Sequence, residues 1–309
     1  MDVTRNWSPV SRTALGVARI RAAESGRDPV LFNDPYAEMF LRAAPPLPPI
    51  PASVQAQTVY RRLAFQVAIR TRFYDDYLLA ATAAGCTQVV LLAAGLDARA
   101  YRLTWPVGVH LFELDLPPLL TFKERVLQHK ATSIGCSRIP VPIDLRDDWG
   151  AALIAVGFDP GRPTAWLAEG LLIYLSAEEV AALLIEVGTL SAPGSGFATE
   201  GSEIVLPPAP VSTPVPGLSP AAEPDSAPAP GPGPAIADAP VSIAAPMHEM
   251  GRATALWKGG LGRSPALWLE EHGWRCRSES LASVAARLGR SISSSSGSGF
   301  VTAVLSEPR

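Results

Sequence analysis

The chain of 309 residues has only three cysteines and four histidines, and neither type clusters. Cys86, Cys136 and Cys276 are odd in number and far apart, which predicts free thiols in a reducing compartment, not a disulfide framework. No Cys-x-x-Cys and no closely spaced histidine pair is present, which argues against a zinc site. No apolar run approaches the roughly 18 residues of a membrane helix. The first residues carry charges with no apolar core between them, so no secretory signal is expected. A cytoplasmic protein without a membrane partner is the expectation. Lysine and arginine are missing altogether from Pro163 to Gly251, a stretch that holds ten acidic residues. With a net charge of −3 and no basic footprint, nucleic acid is not an expected partner. The acidic stretch reads as a solvated surface.

Glycine is also scarce where a diphosphate would need it. Val89 to Ala94 is an apolar run that ends in Gly95-Leu96-Asp97-Ala98-Arg99. A buried parallel strand followed by a tight turn has this pattern. An open α/β sheet binds its ligand at such turns. A second run, Val109 to Leu114, ends in Asp115, placed to accept hydrogen bonds from ribose hydroxyls. Gly-x-Gly-x-x-Gly would bring several amides to a pyrophosphate, but only one glycine is present here. A cofactor with a ribose and no phosphate suits this turn, S-adenosylmethionine among others.

Strand and helix alternate from there on. Strands are predicted at Val89–Ala94, Val109–Leu114, Arg138–Val141, Thr164–Ala168 and Gly196–Glu200, with Trp274–Ser278 and Ser298–Leu305 closing the sheet. Helices are predicted at Leu119–Lys130, Trp149–Val156 and Ala177–Leu190, the last capped by Ser176. Before the first strand, Ser11–Glu24 and Tyr60–Ala84 have helical patterning. Five prolines between Pro45 and Pro51 forbid a helix between them. The fold class is therefore α/β, a doubly wound, mostly parallel sheet. It is read as one domain over 1–309, with an N-terminal helical cap over 1–85. Residues 207–246 hold 13 of the 31 prolines and almost no charge, which predicts a flexible Pro/Ala-rich insert.

Several blocks are spread across the chain in a fixed order. They include Arg21-Ala22-Ala23-Glu24-Ser25, Asp34-Pro35-Tyr36-Ala37, Arg70-Thr71-Arg72-Phe73-Tyr74-Asp75-Asp76 and Ala93 to Leu103. Glu113 to Pro117, Val141 to Arg146, Ala168 to Leu175, Trp268 to Trp274 and Leu288-Gly289-Arg290 follow. In these blocks the chain resembles the leucine carboxyl methyltransferase family, in its bacterial branch of S-adenosylmethionine-dependent O-methyltransferases. The resemblance fails over roughly 206–246, where the family carries part of its substrate lid.

The resemblance implies a Rossmann-like methyltransferase sheet, S-adenosylmethionine as cofactor, and a set of site residues. Arg70 would pair with the carboxylate of the methionine half, since a guanidinium grips a carboxylate with two parallel bonds. Arg21 matches a second basic position near the same carboxylate, with Arg19 as a neighbouring competitor. Gly95 would let the backbone pass close to the cofactor. Asp115 matches the ribose acid, leaving Glu113 to pair within the sheet. Asp144 and Leu145 would hold adenine, although Asp144 also reads as a helix N-cap. Glu169, at the end of the fourth strand, would face the methyl group.

The acceptor side is thinner. Tyr174, Arg252 and Lys258 are candidate substrate residues, the two basic ones as counter-charges for a carboxylate acceptor. His248 is the candidate base for a hydroxyl acceptor, and His110 and His272 read as structural. The expected acceptor is a small molecule, through a carboxylate or hydroxyl, with polyketide tailoring as the family analogy. Methylation of a protein C-terminal carboxylate is the competing enzymatic reading. A non-catalytic scaffold using its proline-rich loop is the other.

Overall fold

The computed structural model describes Thr4 and residues 7–128, 135–201, 256–291 and 299–306. His129, His248, Arg252 and the 207–246 insert lie outside the described residues. Seven strands form one sheet: β1 (Gln88–Leu92), β2 (His110–Asp115), β3 (Ser137–Pro142), β4 (Thr164–Ala168), β5 (Gly196–Glu200), β6 (Trp274–Ser280) and β7 (Gly299–Leu305). Their spatial order is β3-β2-β1-β4-β5-β7-β6. β1 to β5 are parallel, and β7 is antiparallel to both β5 and β6. The order reverses between β1 and β4, and the crevice beyond the carboxyl ends of those two strands is where such sheets hold ligands. The prolines of β3, Pro140 and Pro142, are tolerated because β3 is an edge.

All five residues of β1 are buried, and its side chains alternate between two apolar layers. Val90 and Leu92 pack with Trp149 and Leu153 of α6 (Trp149–Ala155) and Val180 and Leu183 of α7 (Ala177–Thr189). Val89 and Leu91 pack with Ile69, Phe73 and Leu78 of α3 (Val54–Ala83). The sheet is therefore covered on both faces, as a parallel sheet requires. Ser176 caps α7 in a reciprocal capping box with Glu179, as its sequence predicts.

The N-terminal extension divides in two. α1 (Pro9–Ser25) and α2 (Pro35–Ala43) build a separate cluster in which Trp7, Leu15, Tyr36 and Phe40 meet Leu119 and Phe122 of α5 (Pro117–Leu127). The carboxyl half of α3 belongs instead to the sheet's own packing layer. α3 begins at Val54, ahead of the predicted Tyr60, because the Ser53 side chain accepts the amide of Ala56. α2 was absent from the sequence reading, although Asp34 accepts the amides of Tyr36 and Ala37 and Pro35 opens the helix. The four-residue α4 (Arg99–Arg102), α8 (Pro265–Glu271) and α9 (Leu281–Arg287) complete the helices among the described residues. β6 and β7 close the sheet as an antiparallel edge, with α9 between them in the chain. No described helix is long and apolar enough to cross a membrane.

Candidate functional site

The turn after β1 sets the site. Gly95 has φ +54°, a left-handed conformation that glycine adopts without strain. Its amide donates to Asp115 Oδ2 at 2.6 Å, and the Leu116 amide donates to Oδ1 at 2.7 Å. Asp115 is thereby fixed at the end of β2, 8% exposed, with lone pairs left for a further donor. Burial pushes its carboxyl above the ordinary range, against the pull of those two amides. Glu113 is sealed away on the same strand. It accepts from Lys123 Nζ at 2.7 Å and from Arg138 Nη2 at 2.6 Å, and its side chain is fully buried. Of the two acids, Glu113 is closed off by two cations, while Asp115 ends the strand held only by backbone amides.

One strand further out, the Ile143 amide donates to the Asp115 carbonyl at 2.9 Å, which sets Asp144 and Leu145 beside Asp115. The N-cap reading of Asp144 is corrected: Asp148 accepts the Ala151 amide and caps α6. Asp144 instead binds Arg146, whose guanidinium holds its carboxyl below the usual range. Leu145 is half-buried against the core.

On the other side of the turn lies a buried ionic cluster with Glu169 at its centre. Glu169 Oε1 accepts from Arg21 Nη2 and Arg70 Nε, both at 3.0 Å, and Oε2 accepts from Arg99 Nη1 at 2.7 Å. Burial alone would push this carboxyl up, but Arg99, Arg21 and Arg70 together pull it far below the carboxylate range. The three guanidiniums favour its ionised form.

Arg99 is completely buried, with Nε 2.7 Å from Asp75 Oδ1 and Nη1 also on Asp97. Burial works against an ionised Asp97, yet Arg99 holds its carboxyl low. Arg102 grips Asp75 with two bonds of 2.6 Å. Arg70 also reaches Glu200, 3.3 Å from Oε1, and Gly170 donates its amide to both Glu200 oxygens at 2.9 and 3.0 Å. Gly170 is required here: φ is +66°, and a Cβ would sit 3.2 Å from Arg70 Nη1.

The set is chemically specific. An acid at the end of β2 suits a diol, and a polar strand end beside it suits a base. The clustered guanidiniums suit a carboxylate. Residues 14–188 match the family model described as leucine carboxyl methyltransferase. The chain belongs to that family. A Parafrankia protein named as an S-adenosyl-L-methionine-dependent methyltransferase is 44% identical over 292 residues, covering 93% of this chain and 84% of that one. A Streptomyces avermitilis protein of the same description is 40% identical over 290 residues, covering 93% and 90%. A solved structure of a DUF574 family protein from Streptomyces avermitilis is a distant likeness, with a TM-score of 0.48 at 14% identity over 93% of this chain and 96% of that one. The family member is an S-adenosylmethionine-dependent methyltransferase.

Of the residues predicted from sequence, Arg21 and Arg70 both contact Glu169, and the Gly95 amide contacts Asp115. The sequence reading missed Asp75, Asp97, Arg99, Arg102 and Glu200. Asp75, Asp97, Arg99 and Arg102 stand inside the quoted blocks, while Glu200 ends the predicted fifth strand outside them.

On the acceptor side, Lys258 is exposed, and its ammonium lies 2.8 and 3.1 Å from the Glu179 carboxylate, a pair that links its segment to α7. That segment lies along the 3-10 turn Leu172–Tyr174: the Lys258 amide donates to the Ile173 carbonyl at 2.9 Å, and the Gly260 amide to that of Leu175 at 3.1 Å. Tyr174 is half-buried in this turn. His272 stacks on Trp268 with ring centroids 3.6 Å apart, and His110 sits in β2, both structural positions. No group of described residues could hold a metal ion.

Proposed function

We propose that this methyltransferase places the methyl group on an oxygen of a small-molecule acceptor. The observation that carries the reading is the arrangement at the β1/β4 switch point. Asp115, Asp144–Leu145 and the Arg21–Arg70–Glu169 cluster together answer the ribose, the adenine and the amino-acid end of the donor. Bound there, S-adenosylmethionine supplies an electrophilic methyl on a sulfonium centre. Asp115 accepts from the ribose hydroxyls. Arg21 and Arg70 hold the methionine carboxylate, and Glu169 keeps the two guanidiniums in register. Asp144 and the Leu145 amide take the adenine edge.

Displacement at the methyl carbon needs alignment more than acid–base chemistry. The rim supplied by Tyr174 and the segment beside it is the acceptor side, and Tyr174 is the residue proposed to touch it. A phenol or carboxylic acid of polyketide type is the acceptor class to test first. A carboxylate would need a counter-charge, and with Lys258 engaged by Glu179 that role falls to Arg252.

The test is methyl transfer from a carbon-13-labelled donor to a panel of phenols, aliphatic alcohols and carboxylic acids. The position of the label in the product is then read by NMR and by alkaline hydrolysis. An oxygen-bound methyl on a small molecule, stable to alkali as an ether or labile as an ester, supports the reading. Label on nitrogen or carbon, or on a protein C-terminus instead, overturns it.

A further inference from the structure

We propose that Arg290, which lies outside the donor site, is a positioning residue for it. Through Glu24 it fixes the helix that roofs the crevice, and so sets how tightly the donor is held. The inference rests on the donor site argued above and extends it to the carboxyl-terminal part of the chain.

α1 crosses the crevice. A Cβ at Gly95, in the turn after β1, would lie 3.6 Å from the Ala14 Cβ. Two turns further along α1, Arg21 Nη2 is 3.0 Å from Glu169, just past β4. Two turns of α-helix rise about 11 Å, so α1 reaches from the end of β1 to the end of β4. Its apolar face, at Leu15 and Ala18, packs in a cluster with α2 and α5 that is separate from the layers on the two faces of the sheet. The seat of α1 over the strand ends therefore depends on the polar ties that join it to those layers.

Glu24, one turn beyond Arg21, makes such a tie. It is 5% exposed, and a buried carboxylate needs partners. The Leu31 amide donates to Oε1 at 3.1 Å, and Arg27 Nε lies 3.3 Å from Oε2. Both belong to the connection that follows α1 and move with it. Arg290 Nη2, which donates to Oε1 at 3.0 Å, comes from 266 residues further along the chain. Its side chain is 16% exposed against 59% for Arg27, so its charge is the less screened of the two.

Arg290 is itself well placed to act as an anchor. α9 packs into the sheet layer through Leu281, Val284 and Ala285. Gly289, at φ +68°, reverses the chain after that helix, with the Arg290 amide donating to the Ala285 carbonyl at 2.9 Å. The Arg290 side chain then joins two parts of the α1–α2 connection, because Nη2 carries two hydrogens and donates to both the Glu24 carboxylate and the Pro29 carbonyl. Just past Pro29, Leu31 and Phe32 pack in the same layer as α9, and Arg72 of α3 donates to the Leu31 carbonyl at 2.9 Å. Arg290 thus fastens the end of α1 to a stretch already held on the sheet. A helix moves as a unit, so a shift at Glu24 carries Arg21 with it.

The test is calorimetric titration with S-adenosylhomocysteine, below the melting range of every protein used. The parent is compared with Arg290→Ala, Arg290→Lys, Arg21→Ala and the double variant Arg21→Ala with Arg290→Ala. Arg290→Ala should weaken binding by about three- to tenfold, the scale of mutations that act on a site without touching the ligand. Arg290→Lys should recover most of that loss, since a single nitrogen makes both bonds. In the Arg21→Ala background, Arg290→Ala should add no further loss, because it acts through the helix that carries Arg21. Arg290→Gln takes the place of Arg290→Ala if the latter does not fold. An Arg290→Ala protein that melts lower but binds as the parent does overturns the proposal and leaves Arg290 a purely structural residue. So does full additivity in the double variant, or a Lys variant no better than Ala. A parent that does not bind, or an Arg21→Ala protein that binds as the parent does, refutes the donor site itself, a result seen before any Arg290 variant is measured.

Discussion

Replacing Glu169 with Gln keeps the shape of the side chain and removes the charge on which three guanidiniums converge. Arg99 would retain Asp75 and Asp97, and Arg70 would retain Glu200. Arg21 would be left with the Thr71 hydroxyl at 3.4 Å. Breaking one side of a buried ion pair costs about 3–5 kcal/mol, and the retained partners put this case at the lower end. For a protein of this size, a loss of about 3 kcal/mol lowers Tm by about 5 °C. The pH dependence follows from the depressed Glu169 carboxyl. A group whose pKa is lower in the folded than in the unfolded chain stabilises the fold above its unfolded value, about 4.3 for Glu, and that contribution is lost as pH falls towards the folded value. The stability gap between parent and variant should be full at neutral pH and should narrow on acidification below about pH 4. Urea unfolding followed by circular dichroism from neutral to acidic pH measures both quantities. Equal stability at neutral pH, or a gap that does not change with pH, would refute the claim that Glu169 is ionised and structurally central.

Asp115→Ala should weaken S-adenosylhomocysteine binding by about 1.5–3 kcal/mol in calorimetry, the scale of hydrogen bonds to a charged group, with little change in Tm. Glu113→Ala should do the reverse, because it strands the fully buried Lys123 ammonium. Gly170→Ala should lower donor affinity by about 1–2 kcal/mol through left-handed strain and pressure on Arg70. Ala93, at φ +55°, sits in the same conformation without being glycine, so Ala93→Gly should leave Tm unchanged or raise it. Lys258→Ala removes only an exposed pair and should cost less than about 1 kcal/mol in urea unfolding.

The sheet was legible because β1, β2 and β4 are almost wholly buried runs, and apolar strands punctuated by turns need little context to be recognised. α2 and α9 were missed because each is short and depends on its cap, Asp34 for one and Ser280 for the other, more than on periodicity. In the site, Asp115 and Gly95 could be read from strand-end logic, while Arg21 and Arg70 came from family blocks. Arg99 could not be assigned in the same way. An arginine beside a turn glycine reads as a surface residue until the fold brings Asp75 of α3 and Glu169, just past β4, around it. The partner of Lys258 was hidden for a related reason: the sequence shows a basic residue near the rim but not Glu179 of α7, which pairs with it.

The central claim is that the carboxyl ends of β1, β2 and β4 bind S-adenosylmethionine through these residues. Calorimetric titration of the purified protein with S-adenosylhomocysteine tests it most directly. One molecule bound per chain in the micromolar range, with affinity sharply reduced in Asp115→Ala, is the expected result. No heat at millimolar ligand, or binding that Asp115→Ala leaves untouched, would contradict it.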